Sequence, residues 1–317
     1  MTTSARWIVI ASALTSAAAC ITGYTPPADA QTPAPHANPS QDIDWKAVDA
    51  AMGRSGSMQS GGVYRFGMPR TDLSVTSKGV QIKPSLALGS WIAMKQSGPN
   101  EVVAMGDLVL TDDELNRVIT RLQRDGIGQT AIHKHLLEMS PAIWWTHVHA
   151  HGNPIQIART VREALALTGT PAQSPGGGNA SQELGIDTAQ ISRILGHSGR
   201  NNSGVYSVSV PRAETVRAMG IEVPPSMGLS TAINFQPTGG GRAAINGDFV
   251  MTSGEIDRVI SALRENGIQV VALHNHLTDE EPRLFFMHFW ANDDAVKLAR
   301  GLRAALDQTN SRRGAAR

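Results

Sequence analysis

Eight of the ten histidines in this 317-residue chain fall in two matching segments. One holds His133, His135, His147, His149 and His151, and the other holds His274, His276 and His288. Imidazole is the commonest transition-metal ligand among side chains and titrates near neutrality, so a duplicated cluster of it is where chemistry is expected. The spacing proposes two metal sites, His133, His135 and His147 in one and His274, His276 and His288 in the other, with His149 as an addition to the first. Glu138 and Asp279, each three residues after the second histidine of a pair, are the candidate fourth ligands. Such a shell suits a divalent transition metal, and ligand type alone does not choose among zinc, copper, iron, manganese and nickel. An open position on such an ion would hold a water of lowered pKa, with a nearby carboxylate as its base. Asp107 and Asp248 are candidate partners for an imidazole N–H, although an aspartate after a strand glycine is also an ordinary turn residue.

The elements that must position these residues are themselves duplicated. Adding 141 to each number from 101 to 165 gives a partner between 242 and 306 without a gap, and 23 of the 65 pairs are identical. The fold expected is α+β: two homologous repeats of the same topology, related by an approximate two-fold, each a mainly antiparallel sheet with a His-bearing β-hairpin between two helices. Helices are expected over 45–52 and 188–195. Strands are expected around 63–68, 80–82, 90–95 and 102–109, with counterparts at 205–210, 222–223, 231–235 and 243–250. Thr111-x-x-Glu114 and Thr252-x-x-Glu255 read as capping boxes for the next helices, which Gly126 and Gly267 end. In the second hairpin Leu273, Leu277, Phe285, Met287 and Phe289 alternate with the histidines, so the two sets occupy opposite faces. A turn centred between Glu280 and Glu281 would set His274 across from His288, and His133 across from His147. A slip of one residue would send the histidines of the two strands to opposite faces.

A plainer reading runs beside this one. His-x-His on a strand is often a polar pair at a half-buried surface, and these histidines could instead hydrogen-bond across a domain interface. Arg70 and Arg212, after strand-ending prolines, are candidate anion ligands, whereas Arg117 and Arg258 on the helices read as salt-bridge partners.

The chain divides into a signal peptide (1–30), a Pro-rich leader (31–42), repeat domain 1 (43–167), a flexible linker (168–182), repeat domain 2 (183–308) and a tail (309–317). The signal peptide follows from an apolar stretch over 7–19 and the small-x-small site Ala28-Asp29-Ala30. Cys20, the sole cysteine, is the alternative processing point and would carry a lipid. Cleavage after Ala30 leaves no cysteine, which excludes disulfides and thiolate ligands. No later stretch reaches the ~18 apolar residues of a transmembrane segment. A net charge of +1 without a basic run argues against nucleic acid as a partner. A metal ion or a small-molecule ligand is the expected partner, and the expected location is periplasmic or extracellular.

The segments Gly204-Val-Tyr206-Ser-Val-Ser-Val-Pro211-Arg212, Asn246-Gly-Asp248-Phe-Val-Met-Thr252, Leu273-His-Asn-His-Leu277 and Phe286-Met-His288-Phe-Trp290 resemble the LppY/LpqO family of exported bacterial proteins. The resemblance covers nearly all of residues 41–308. It implies an extracytoplasmic protein, with lipid attachment in some members, and supplies no reaction. Three classes of function stay open: a metal-binding protein, a metal-dependent envelope enzyme (hydrolase or oxidoreductase), and a metal-free ligand-binding or interaction module.

Overall fold

The first repeat runs α1 (Trp45–Met52), β1 (Ser57–Gln59), β2 (Val63–Pro69), β3 (Gly89–Gly98), β4 (Glu101–Thr111), α2 (Asp112–Arg124), β5 (Gly128–His133), β6 (Ile143–Gly152) and α3 (Pro154–Leu165). The second runs α4 (Thr188–Leu195), β7 (Arg200–Asn202), β8 (Val205–Pro211), β9 (Ser230–Gly239), β10 (Arg242–Met251), α5 (Ile256–Glu265), β11 (Gln269–His274), β12 (Phe285–Asp294) and α6 (Ala295–Leu306). The computed structural model describes residues 42–172 and 183–314. The signal peptide, Cys20, the leader up to residue 41, the linker from 173 to 182 and the last three residues of the tail lie outside the described residues.

Local chemistry starts and stops the helices where the sequence indicates. Asp44 accepts from the amides of Lys46 and Ala47 to open α1, and Gly53, at φ 74°, closes it. Asp187 and Gly196 do the same for α4. Both capping boxes form, Thr111 with Glu114 and Thr252 with Glu255, although the first turn of the second helix is a 3-10 turn, Ser253–Glu255. Each repeat then folds its strands into a six-stranded antiparallel sheet, ordered β1-β2-β3-β4-β6-β5 in the first and β7-β8-β9-β10-β12-β11 in the second.

Each sheet is buried on both faces, and this places the site. Along β4, Val102, Ala104, Leu108 and Leu110 pack with α1, α2 and α3, whereas Val103, Met105 and Val109 face the other repeat. Two apolar clusters join the repeats. One sets Val103 and Met105 against Val250, Leu277 and Phe286, and the other sets Val109, Leu136 and Trp145 against Ala244 and Trp290. Burying a Val, Leu, Met or Phe side chain is worth about 1.5–3 kcal/mol, so these contacts hold the two repeats together. Asp107 lies between Met105 and Val109 on the face of β4 turned to the other repeat. Asp248 occupies the equivalent place on β10, between Asn246 and Val250. The polar centre is therefore sealed above and below by the two apolar clusters.

Arg70 and Arg212 are each 1% exposed as side chains and are committed to internal partners, which removes the expectation that they bind anions. Arg70 donates to Glu114, Asp72 and the Val109 carbonyl, and Arg212 to Glu255, Glu214 and the Val250 carbonyl. The same glutamates accept from the amides of Gly169 and Asn310. Residues 169–171, expected as the start of a flexible linker, are thus tied to the first repeat, where Arg54 also donates to the Pro171 carbonyl. The start of the tail is likewise tied to the second, through Asn310 and Ser311. Among the described residues no helix is long and apolar enough to cross a membrane.

Candidate metal centre

The register of β5 on β6 is offset by two residues from the one expected. Ala131, not His133, lies across from His147, and Ala272, not His274, lies across from His288; His133 and His274 face Trp145 and Phe286. The offset arises on the turn side of these pairs; a bulge between Gln129 and Ala131, repeated between Val270 and Ala272, lies beyond them and shifts the pairing there by one further residue. Because the offset is even, the histidines keep their common face. That face is the one turned toward the other repeat, so the two expected trios meet as a single cluster. Its six imidazoles are each 9% exposed or less, and Asp107 and Asp248 are 3% and 8% exposed.

Within the cluster the ring nitrogens meet across the repeat boundary. His133 Nε2 lies 3.2 Å from His288 Nε2 and 3.0 Å from His135 Nε2, and His147 Nε2 lies 3.2 Å from His274 Nε2. The strand histidines are fixed from behind: His147 Nδ1 faces the Gly106 carbonyl at 3.2 Å and His288 Nδ1 faces the Gly247 carbonyl at 2.7 Å. A ring that donates from Nδ1 presents a bare Nε2 lone pair, the tautomer that ligates a metal. Neither glycine can be replaced at that contact, since a Cβ would come 2.5 Å from the Trp91 carbonyl oxygen at Gly106 and 1.9 Å from the Ala232 carbonyl oxygen at Gly247. Asn246 donates to the His135 carbonyl and Thr130 to the His276 carbonyl, so each repeat braces the loop of the other.

The carboxylates approach the second histidine of each pair, with Asp107 Oδ2 at 3.3 Å from His135 Nε2 and Asp248 Oδ2 at 3.0 Å from His276 Nε2. Burial, then the neighbouring Asp248, raises Asp107 well above the ordinary carboxyl range, with Arg65 opposing the rise. Burial and the surrounding imidazoles hold His135, His147 and His274 well below their usual range, and take His133 down to about 2. His288 is lowered by burial, with Asp248 and the Gly247 carbonyl opposing. These five rings are therefore neutral at physiological pH, which is the state that coordinates a cation.

Glu138 and Asp279 are not in the cluster. The strands end at His133 and His274, and the chain turns outward before the acids are reached. Glu138, at φ 45° and 70% exposed as a side chain, pairs with Lys78 at 2.7 Å, while Asp279 accepts from the Met219 amide. His149 stays on the same face of β6 two residues beyond His147, against Gly128, outside the groups that could hold an ion. His151 faces Ser97 and Glu101 at the surface.

Among the described residues three overlapping sets of side chains could hold a metal ion: His133, His135, His147 and His288; His147, His274 and His276; and Asp248, His274 and His288. In each set the donor atoms lie within 4.8 Å of one another. Sequence reasoning did not find Trp145, Gly228, Asn246 or Thr130 as supports of the site. The available signal was the near-continuous apolar run of β4, Val102 to Leu110, interrupted only at Gly106 and Asp107. Such a run marks a strand covered on both faces, and so an aspartate buried within it.

No curated protein matches this sequence. A solved structure of a trimeric bacterial microcompartment shell protein, PduB, aligns over 79% of this chain and 88% of that one at 9% identity, with a TM-score of 0.20. The model of a protein family described as Domain of Unknown Function (DUF1259) matches residues 46–167 and again residues 189–308, the two repeats whose facing surfaces enclose the histidines, and the chain belongs to that family in two tandem copies.

Proposed function

We propose that this protein binds transition-metal ions in a closed centre that its two repeats build jointly. The observation that carries this reading is a shortage of hydrogens among the buried nitrogens. His133 Nε2 contacts two other Nε2 atoms, yet a ring nitrogen carries either one hydrogen or one lone pair and can satisfy only one of them. His276 Nδ1 faces the Gly228 carbonyl at 3.0 Å, while its buried Nε2, 3.0 Å from Asp248 Oδ2, makes no hydrogen bond. Cations at the points where these lone pairs converge satisfy them together. Asp107 Oδ1, Asp248 Oδ1, His133 Nδ1 and His274 Nδ1 are also buried without a hydrogen-bond partner, a concentration of unmet polar atoms that ordinary cores avoid.

The donor set favours a borderline ion such as zinc, copper, iron or nickel over calcium or magnesium, which require oxygen ligands. Burial of every donor supports a closed shell, suited to holding, handling or redox-cycling a metal, over a hydrolytic site with an exchangeable water. The apolar stretch over 7–19 with its Ala28-Asp29-Ala30 site, and the LppY/LpqO resemblance, support an extracytoplasmic setting for this activity. Metal analysis of the full chain purified without a His-tag, followed by X-ray absorption, tests the reading. Imidazole scatterers around a first-row metal, and binding tighter than micromolar at pH 7.5, are expected. Binding weaker than that, or an all-oxygen environment, overturns it.

A further inference from the structure

We infer that the centre holds two ions, each gripped by the His-x-His pair of one repeat and the strand histidine of the other. His133, His135 and His288 hold one ion, and His274, His276 and His147 hold the other. This deepens the reading above and rests on it. The allocation differs from the one the duplication suggests, in which each repeat would complete its own site.

Ring geometry supplies the argument. An imidazole lone pair lies in the plane of its ring, so two stacked rings direct their nitrogens past each other. His133 and His274 stack at 3.9 Å between centroids and 18° between planes, and so form a wall with a focus on either side. On one side His133 Nε2 meets His135 Nε2 at 3.0 Å and His288 Nε2 at 3.2 Å; on the other, His274 Nε2 meets His147 Nε2 at 3.2 Å. An ion ~2.0–2.1 Å from each of its imidazole nitrogens separates them by about 3.3 Å in a tetrahedral shell, close to these contacts. The strand histidines also sit against the other repeat's pair, with centroids 3.6 Å apart for His288 and His135 and 3.9 Å for His147 and His276. The carboxylates divide in the same way, Asp107 beside His135 and Asp248 beside His276. A single ion among His133, His135, His147 and His288 would leave His276 Nε2 buried without a partner.

Two double variants of the full-length chain separate the allocations, with cobalt(II) as probe and near-UV circular dichroism as the check on folding. The wild type should bind two equivalents. His133→Gln with His288→Gln should remove one ion and leave the other, whereas His133→Gln with His147→Gln should damage both sites and leave none. The opposite pattern overturns the cross-repeat allocation in favour of one site per repeat. Saturation of the wild type at one equivalent overturns the two-ion inference while leaving metal binding intact, and no binding at all overturns both. Should the variants fail to fold, copper(II) in the wild type decides by electron paramagnetic resonance. Coupled spins support ions on either side of a shared imidazole wall, and two isolated spins overturn that arrangement.

Discussion

The halves of the centre descend from one duplicated sequence, yet they hold their second histidines differently. In the second repeat the Gly228 carbonyl takes His276 Nδ1, and the ring stacks on Phe286 at 3.6 Å between centroids. In the first repeat the equivalent carbonyl, Ala87, accepts instead from the Trp145 indole at 2.9 Å. His135 stacks on that indole at 4.4 Å, and its approach to Asp107 is longer than that of His276 to Asp248. A Trp in place of Phe has redirected one carbonyl, and the same histidine positions in the two repeats are held unequally. The half containing His276 is preorganised by a carbonyl and a close carboxylate, and it should take metal first.

The largest perturbation acts on both halves alike. Burial depresses the folded-state pKa of His133, His135, His147, His274 and His288, so below the unfolded value of ~6.5 the unfolded chain takes up protons that the folded chain refuses. Stability is therefore complete above that pH and falls as pH drops below it, by about 1.4 kcal/mol per pH unit for each group. Asp107, raised in the fold, works in the opposite sense: its contribution is lost as pH rises through its folded pKa, and this offsets only one of the five. Denaturant titration of the chelator-treated protein should show a loss of several kcal/mol between pH 7 and pH 5. A flat profile would mean that the imidazoles are hydrated in solution.

The arginine locks are a control in which the repeats should behave alike. Arg70 and Arg212 make matching buried contacts, so Arg70→Met and Arg212→Met should each cost about 3–5 kcal/mol, because either leaves a buried glutamate without its cation. Metal stoichiometry should be unchanged in both. Effects that differ by more than ~1 kcal/mol would show that the repeats are unequal beyond the metal centre.

What could be read from the sequence, and what could not, follows the same division between local and non-local physics. Helix boundaries such as 45–52 and 188–195 were legible because Asp44, Gly53, Asp187 and Gly196 act within one turn of chain. The six histidines were legible because spacing and duplication mark them. Glu138 and Asp279 were misassigned because spacing carries no sign that the strand stops at His133 or His274. The pairing offset escaped notice because it is set where the chain turns between His133 and Ile143, and that stretch carries no motif for its turning point. How the histidines divide between foci depends on how two sheets dock, and a repeat offset of 141 is silent on docking. The apolar residues on both faces of β4 were the clue that a second layer covered the site.

A smaller effect should separate the halves at the carbonyl itself. Gly228 has φ 87°, and a Cβ there would come 2.8 Å from the Trp91 ring. Gly228→Ala should cost about 1–3 kcal/mol through strain, and should weaken the tighter metal step by displacing the carbonyl from His276. Ala87→Gly, at the equivalent position, should stay within ~1 kcal/mol and leave both steps where they are. Calorimetric titration with zinc would resolve this, and equal weakening by the two variants would remove the carbonyl from the account.

The finest change should make the halves alike. Trp145→Phe gives the first repeat the ring type that Phe286 supplies in the second, and it releases the Ala87 carbonyl from the indole. His135 Nδ1 could then donate to that carbonyl as His276 does to Gly228, which would fix the tautomer with Nε2 bare. Removing part of a fully buried side chain and its hydrogen bond should cost about 1–2 kcal/mol of apo stability. The weaker metal step should nevertheless tighten about tenfold, the usual scale for a hydrogen bond behind a ligating imidazole. Stability and affinity are expected to move in opposite directions, which a general loosening of the core would not produce. Competition against a chromophoric chelator resolves the two steps. If the gap between them is unchanged in Trp145→Phe, the inequality arises from the carboxylates, and Asp107→Asn against Asp248→Asn becomes the comparison to make.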